Sequence, residues 1–218
     1  MLASTGFPLL SWVARDDPEG AKREAAESMS QWTDQGFFLA HYWAMLGNAQ
    51  VDLYAGRADE AHARVKREWP ALQKSLLLRC QLIHIEALHV RGRAALGAAL
   101  TSPDRQKLLI EAEKDAKAIE GEKMAYATPL GMLLRAGIAA ARGERDASIA
   151  LLEKAAGLLE AADMGLFAAA ARRRMGELMG GGPGGAYMAG ADAWMSQREI
   201  KNPARMTAML VPGIGESV

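Results

Sequence analysis

Between Leu76 and Leu100 apolar side chains fall on almost every side of a helical wheel: Leu77, Leu78, Leu82, Ile83, Ile85, Leu88, Val90 and Leu96. A helix of that kind in water must be covered on several sides by other helices. The segment is therefore expected at the centre of a helix-on-helix fold. Arg79, Glu86, Arg91 and Arg93 interrupt it, and no stretch of the chain reaches the ~18 uninterrupted apolar residues of a membrane span.

The rest of the sequence agrees. Ala, Leu, Met, Glu, Lys, Arg and Gln dominate, β-branched and aromatic residues are sparse, and apolar positions recur at three and four rather than at two. Asp17-Pro18 opens a first helix running to about Trp32. A second is expected from about Asp34 to Tyr54, closed by Gly56, and a third from Ala58 to about Leu72 with Pro70 kinking or shortening it. After the central segment, Thr101-Ser102-Pro103 caps a helix to about Glu120. Segments 122–142 and 144–162 make another pair. Met164, Phe167, Ala171, Met175 and Leu178 mark one face of a further helix. Gly180-Gly-Gly-Pro-Gly-Gly185 reads as a flexible connector.

Gly56-Arg-Ala-Asp-Glu-Ala61 and Gly143-Glu-Arg-Asp-Ala-Ser148 lie 87 residues apart, with Thr101–Asp104 about midway. Two spacings of roughly 43 residues describe stacked helical hairpins, each unable to bury its apolar face alone. The expected fold is all-α: a right-handed superhelix of antiparallel helical hairpins, tetratricopeptide-like with lengthened repeats. Residues 1–17 are read as an N-terminal extension, 18–200 as the repeat domain and 201–218 as a C-terminal tail. Trp32, Trp43, Leu46, Trp69, Leu88, Ile149, Leu152, Phe167 and Met175 are the expected core.

Charge and cysteine content narrow the class. With 26 Lys and Arg against 26 Asp and Glu the net charge is zero, which disfavours the clustered cations that phosphate backbones need. Nucleic acid is not an expected partner. The lone Cys80 can form neither an internal disulfide nor a CxxC pair, which points to a reducing, cytoplasmic setting. Phe7–Val13 is apolar, but no Lys or Arg precedes it, so a signal peptide is not expected; nor is a membrane partner.

Trp43-Ala-Met-Leu46-Gly47-Asn48-Ala49 resembles the first helix of a tetratricopeptide repeat, although Gln50 stands where that family usually has Tyr. A wider resemblance is carried by Trp32 with Gly36-Phe37-Phe38 and His41-Tyr42-Trp43, by Ala168–Arg174 with Gly180-Gly181, by Ala193-Trp194-Met195, by Asn202-Pro203-Ala204-Arg205-Met206 and by Pro212-Gly213. These look like the C-terminal repeat region of large bacterial serine/threonine protein kinases. In that family a kinase domain comes first and the repeats end the polypeptide. The chain itself has no Gly-rich phosphate loop, VAIK strand, HRD loop or DFG site. The resemblance thus implies the non-catalytic end of such a kinase, or a free-standing relative.

Catalytic, cofactor and metal sites are not expected. His84 and His89 lie five apart, about 140° around a helix, rather than the four that places two metal ligands on one face. Cys80 reads as a buried small hydrophobe among Leu76, Leu77 and His84. Arg172-Arg173-Arg174 reads as the solvated side of its helix. The better candidate is the inner surface of the stack, where tetratricopeptide-like arrays hold peptides. Counting from Trp43, it carries His41, Asn48 and Asp52. The repeat then brings His84 with Arg91, and Thr128 with Arg135, to equivalent positions; aligning Gly47 with Gly92 substitutes Arg93 for Arg91. In the first register Asn48, Arg91 and Arg135 form a stripe suited to carboxylate or phosphate groups. The function expected is recognition of a protein or peptide partner by a non-enzymatic regulatory module, as a monomer or weak homodimer. A different class of reading is a ligand-sensing domain, in which a small molecule enters between hairpins and shifts their packing. Self-association through the first helix or the 194–210 stretch is a third.

Overall fold

The computed structural model describes residues 7–33 and 35–214. Among them 79% are helical and none is in a strand, so backbone pairing is almost all local and the architecture is decided by helix packing. Eleven α-helices follow in order: α1 (Phe7–Ala14), α2 (Pro18–Met29), α3 (Leu39–Tyr54), α4 (Ala58–Lys74), α5 (Gln81–Ala99), α6 (Arg105–Gly121), α7 (Ala127–Ala141), α8 (Arg145–Ala161), α9 (Gly165–Met179), α10 (Gly181–Ser196) and α11 (Pro203–Leu210). From α1 to α10 each packs on the next, apart from a short 3-10 turn at Leu77–Arg79 before α5.

One link recurs. α1–α2, α3–α4, α7–α8 and α8–α9 are each joined by three residues, the middle one left-handed: Asp16, Gly56, Gly143 and Asp163. In each, the following amide reaches back across the helix end, from Asp17 to Trp12 O, Arg57 to Asp52 O, Glu144 to Ala139 O and Met164 to Leu159 O, at 2.8 to 3.0 Å. This satisfies a carbonyl the helix end would otherwise orphan and turns the chain back on itself. The duplicated Gly56 and Gly143 motifs are two instances of it.

The odd-numbered helices α1, α3, α5 and α7 also pack on one another and form one layer. Helix α5 is its hub, touching α3, α4, α6 and α7. The central segment is helical only from Gln81, because Leu76 is left-handed (φ 66°) and Ser75 Oγ accepts from the Leu77 amide, separating α4 from α5. From Ile85 to Ala99 nearly every residue is buried. Glycine permits the closest crossings: a Cβ on Gly92 would meet Leu134 at 2.7 Å and one on Gly97 would meet Ala58 at 2.6 Å.

Several expectations are corrected. Helix α3 begins at Leu39, not about Asp34, which lies outside the described residues, because Gly36 (φ 89°) and the extended Phe38 set the chain's entry. Pro70 sits inside α4 without ending it. The Gly180–Gly185 stretch is no flexible connector. From Gly181 it is the first turn of α10, with Pro183 in the opening turn and Gly184 and Gly176 so close that a Cβ on either would strike the other's carbonyl. Of the expected core, Leu88, Leu152 and Met175 are buried; Trp43, Leu46, Trp69, Ile149 and Phe167 are half-buried against it. Trp32 is instead half-buried at the surface, its ring edge-on to His41 at 6.5 Å. Cys80 is exposed rather than buried, since it lies in the turn that precedes α5.

The first and last helices are tied into the stack. Leu9 and Val13 of α1 are fully buried, and α11 packs on both α3 and α9. Lys201 N donates to Ala14 O at 2.8 Å, while Tyr54 Oη, Asn202 Nδ2 and Arg205 Nη1 all donate to the Asp16 carboxylate. Burial pushes the Asp16 carboxyl up, but these three hydrogen bonds outweigh it and hold it below the usual range. Asn202 caps α11 by accepting from the Arg205 amide.

Candidate functional site

The residues of the expected inner stripe are placed, but not as a free stripe. Arg91 donates from Nε to Asp115 Oδ2 at 2.9 Å and from Nη2 to Oδ1, and its guanidinium stacks 3.7 Å over the Trp69 ring. Arg135 grips both oxygens of Glu120 (2.8 and 2.9 Å) and reaches Glu113. Both arginines thus face the even-numbered helices α4 and α6. Asp52 is wholly buried, held by Lys22 (2.7 Å) and Arg64 (3.0 Å). Asn48 bonds its own helix at Ala44 O, and His84 shares a hydrogen bond of 3.0 Å with Glu122. His41 sits among Trp32, Phe37 and Phe38, its Nδ1 accepting from the Phe38 amide. These groups hold hairpins together, and their charges are already matched.

The second register is the one that reaches the odd-helix face. Arg93 is buried at 2% exposure and donates from Nη1 to Met209 O at 3.1 Å. Helix α9 supplies its counterpart, Arg174, whose Nε donates to Val211 O at 2.9 Å. The Arg172–Arg174 run is accordingly not a solvated face. Only Arg172 is exposed enough to pair with Glu160 at the surface, while Arg173 and Arg174 are buried and share Glu177, with Asp192 adding a partner for Arg173.

What lies across this face is the chain's own C-terminal segment, 200–214. It meets α1 at Ala14, α3 through Arg205 over Tyr54, α5 at Arg93, α7 at Gly137 and α9 at Arg174. Met206, Met209, Leu210, Val211 and Ile214 are buried there. The crossing at α7 depends on two glycines: a Cβ at Gly137 would come under 3.0 Å from Pro212 O, and Gly213 (φ 92°) approaches Gly137 as closely.

Beside the segment is a part-enclosed cavity of about 560 Å³, walled by Trp43, Leu46, Tyr126, Leu130, Phe167 and Met209 among others. Its charged and imidazole groups lie on one line of α5, at positions i, i+3 and i+7 (Glu86, His89 and Arg93), and Gln50 of α3 adds an amide. Burial and the Arg93 charge hold the His89 imidazole neutral, far below its usual range. Burial also lowers Arg93, to about 10, which leaves it a cation at neutral pH. Burial raises the Glu86 carboxyl, against a hydrogen bond from Tyr42 Oη at 3.0 Å. His89 Nε2 and Arg93 Nε have no hydrogen-bond partner, and no carboxylate among the described residues is within ion-pair distance of Arg93. From spacing alone His89 is an ordinary helix residue set off the face of His84, and Arg93 belongs to the alternative register. The signal available was a polar line inside an otherwise apolar helix.

Among the described residues no three His, Cys, Asp or Glu side chains converge as a metal site, and no helix is long and apolar enough to cross a membrane. Compared with protein families, with curated proteins and with solved structures, the chain finds no match.

Proposed function

We propose that this chain is a non-enzymatic regulatory module that holds a protein segment bearing a short amphipathic helix along its odd-helix face. In this reading the stack is a right-handed superhelix of lengthened tetratricopeptide-like hairpins, akin to the C-terminal repeat region of bacterial serine/threonine kinases, working in the cytoplasm. The observation that carries it is the docking of 200–214, with two of its carbonyls held by Arg93 and Arg174. Main-chain recognition plus apolar side chains at i, i+3 and i+4 (Met206, Met209, Leu210) is a mode that a partner segment of similar pattern would share. The tail then acts as an internal occupant that a partner displaces.

The test supplies the segment in trans. A Met206→Ser, Met209→Ser variant loosens the chain's own tail without altering the face. A synthetic 200–214 peptide of native sequence should bind this variant and not the wild type, by fluorescence anisotropy. Adding Gly137→Ala should weaken that binding about tenfold, the equivalent of ~1.4 kcal/mol. Equal failure of the peptide on both proteins, with circular dichroism unchanged, would reject a segment-binding face.

A further inference from the structure

The cavity beside α5 contains a charge that the fold does not answer. A buried guanidinium is costly without an ion pair, and its free donors lose their water without regaining hydrogen bonds. Arg93 has one neutral acceptor, Met209 O, on Nη1, an unpartnered Nε, and no carboxylate within ion-pair reach among the described residues. The nearest acid to act on it, Glu86, does so through space only and has its own donor in Tyr42. One helical turn away, His89 adds an unpartnered Nε2 on a ring that burial keeps neutral. A neutral imidazole carries one N–H donor, and in the Nε2–H tautomer it points that donor beside the cation and can complete the coordination of an anionic head. Apart from Glu86 and Gln50, the other walls are aliphatic, thioether and aromatic, among them Trp43, Leu46, Tyr126, Leu130 and Phe167. At about 560 Å³ the space is within the range of small-molecule sites, which combine an apolar lining with a few placed polar groups.

We propose that this cavity binds an apolar monocarboxylate, its carboxylate on Arg93 and His89 and its hydrocarbon or aryl body against Trp43, Tyr126 and Phe167. Both the charge sign and the body follow from the lining: a cation without a counterion selects an anion, and an apolar wall rejects a second charge. Because Ile200, Met206, Met209 and Leu210 form one side of the cavity, the bound carboxylate also fastens the C-terminal segment to α5. Ligand and segment are thus linked by a shared wall, and each strengthens the other's hold.

The test uses the chain with its own segment in place and no partner. Three matched probes, 4-phenylbutyrate, 4-phenylbutylamine and 4-phenylbutanol, are titrated into the full chain by calorimetry and thermal shift. The carboxylate should bind at least about tenfold tighter than the amine or alcohol, and at roughly hundredfold excess over its Kd should raise the melting temperature by about 5 °C or more. Arg93→Met should erase the preference for the carboxylate while the alcohol still binds. Met164→Trp, which enlarges a half-buried wall residue, should weaken all three. Equal binding of amine and carboxylate, no binding of any probe, or an unchanged carboxylate affinity in Arg93→Met would each overturn the proposal. Should Arg93→Met not fold by circular dichroism, the three-probe preference of the wild type decides alone.

Discussion

Replacing Gly137 by alanine sets helix propensity against a crossing of two backbones. In an exposed helix interior the change from glycine to alanine gains about 1 kcal/mol, mostly through the unfolded chain's lost freedom. At Gly137 the new methyl would lie under 3.0 Å from Pro212 O and 3.0 Å from Leu96 Cδ1. A carbonyl cannot rotate away as a side-chain tip can, and Gly213 at φ 92° already uses a conformation that other residues avoid. Overpacking of this kind costs roughly 1–3 kcal/mol. Full release of the segment is not the cheaper escape, since it would expose Met206, Met209, Leu210 and Val211 at about 1.5–3 kcal/mol each. The net expectation is a loss of about 1 kcal/mol and a melting temperature lower by roughly 2–4 °C. Gly157→Ala is the matched control: that glycine is exposed within α8 with nothing within 4 Å of its would-be Cβ. It should raise the melting temperature by a similar amount. Calorimetry on the two variants reads opposite signs, and hydrogen exchange over 205–211 should quicken only in the first. If both alanines stabilise equally, the segment does not cross α7 as described.

Arg91→Ala should cost about 3 kcal/mol in urea denaturation, because it strands the Asp115 carboxylate, 1% exposed, and unstacks Trp69. Burial already raises Asp115, against the opposing pull of Arg91. A carboxyl raised in the folded state takes up protons on folding, so its penalty is fully present above the folded value and fades as pH falls toward the unfolded one. Removing Arg91 raises it further, so the variant's deficit should shrink between neutral pH and about pH 4; a deficit independent of pH would contradict the stranded-carboxylate account. Cys80, being exposed, should react with an aromatic disulfide reagent in the native protein as fast as in urea, and protection of more than about tenfold would place it inside instead.

The local punctuation of this chain was legible from its residues alone. Asp17-Pro18 opens α2, and Gly56 and Gly143 adopt the left-handed link their duplication implied. The apolar periodicity likewise announced helices and made 76–100 the centre, since backbone hydrogen bonds in a helix are satisfied within the segment and only the covered faces need neighbours. Asp16 and Asp163 take the same left-handed link without glycine, so the breaks near 17 and 163 were legible but their left-handed geometry was not. The Gly-rich start of α10 reads as a coil by propensity, yet the closeness of Gly184 to Gly176 makes small residues a packing requirement there.

The inner face could not be read for a geometric reason. Positions 91 and 93 differ by about 200° around a helix, so a two-residue uncertainty in register decides whether an arginine faces α6 and Asp115 or the C-terminal segment. Sequence determined that these helices exist, where most of them turn and that their charges balance overall. Tertiary structure alone decided which charges meet: Arg91, Arg135 and Asp52 find partners within the stack, while Arg93 is left with a carbonyl and an open cavity. Ion pairing depends on distances between residues far apart in the chain, and no local pattern encodes those.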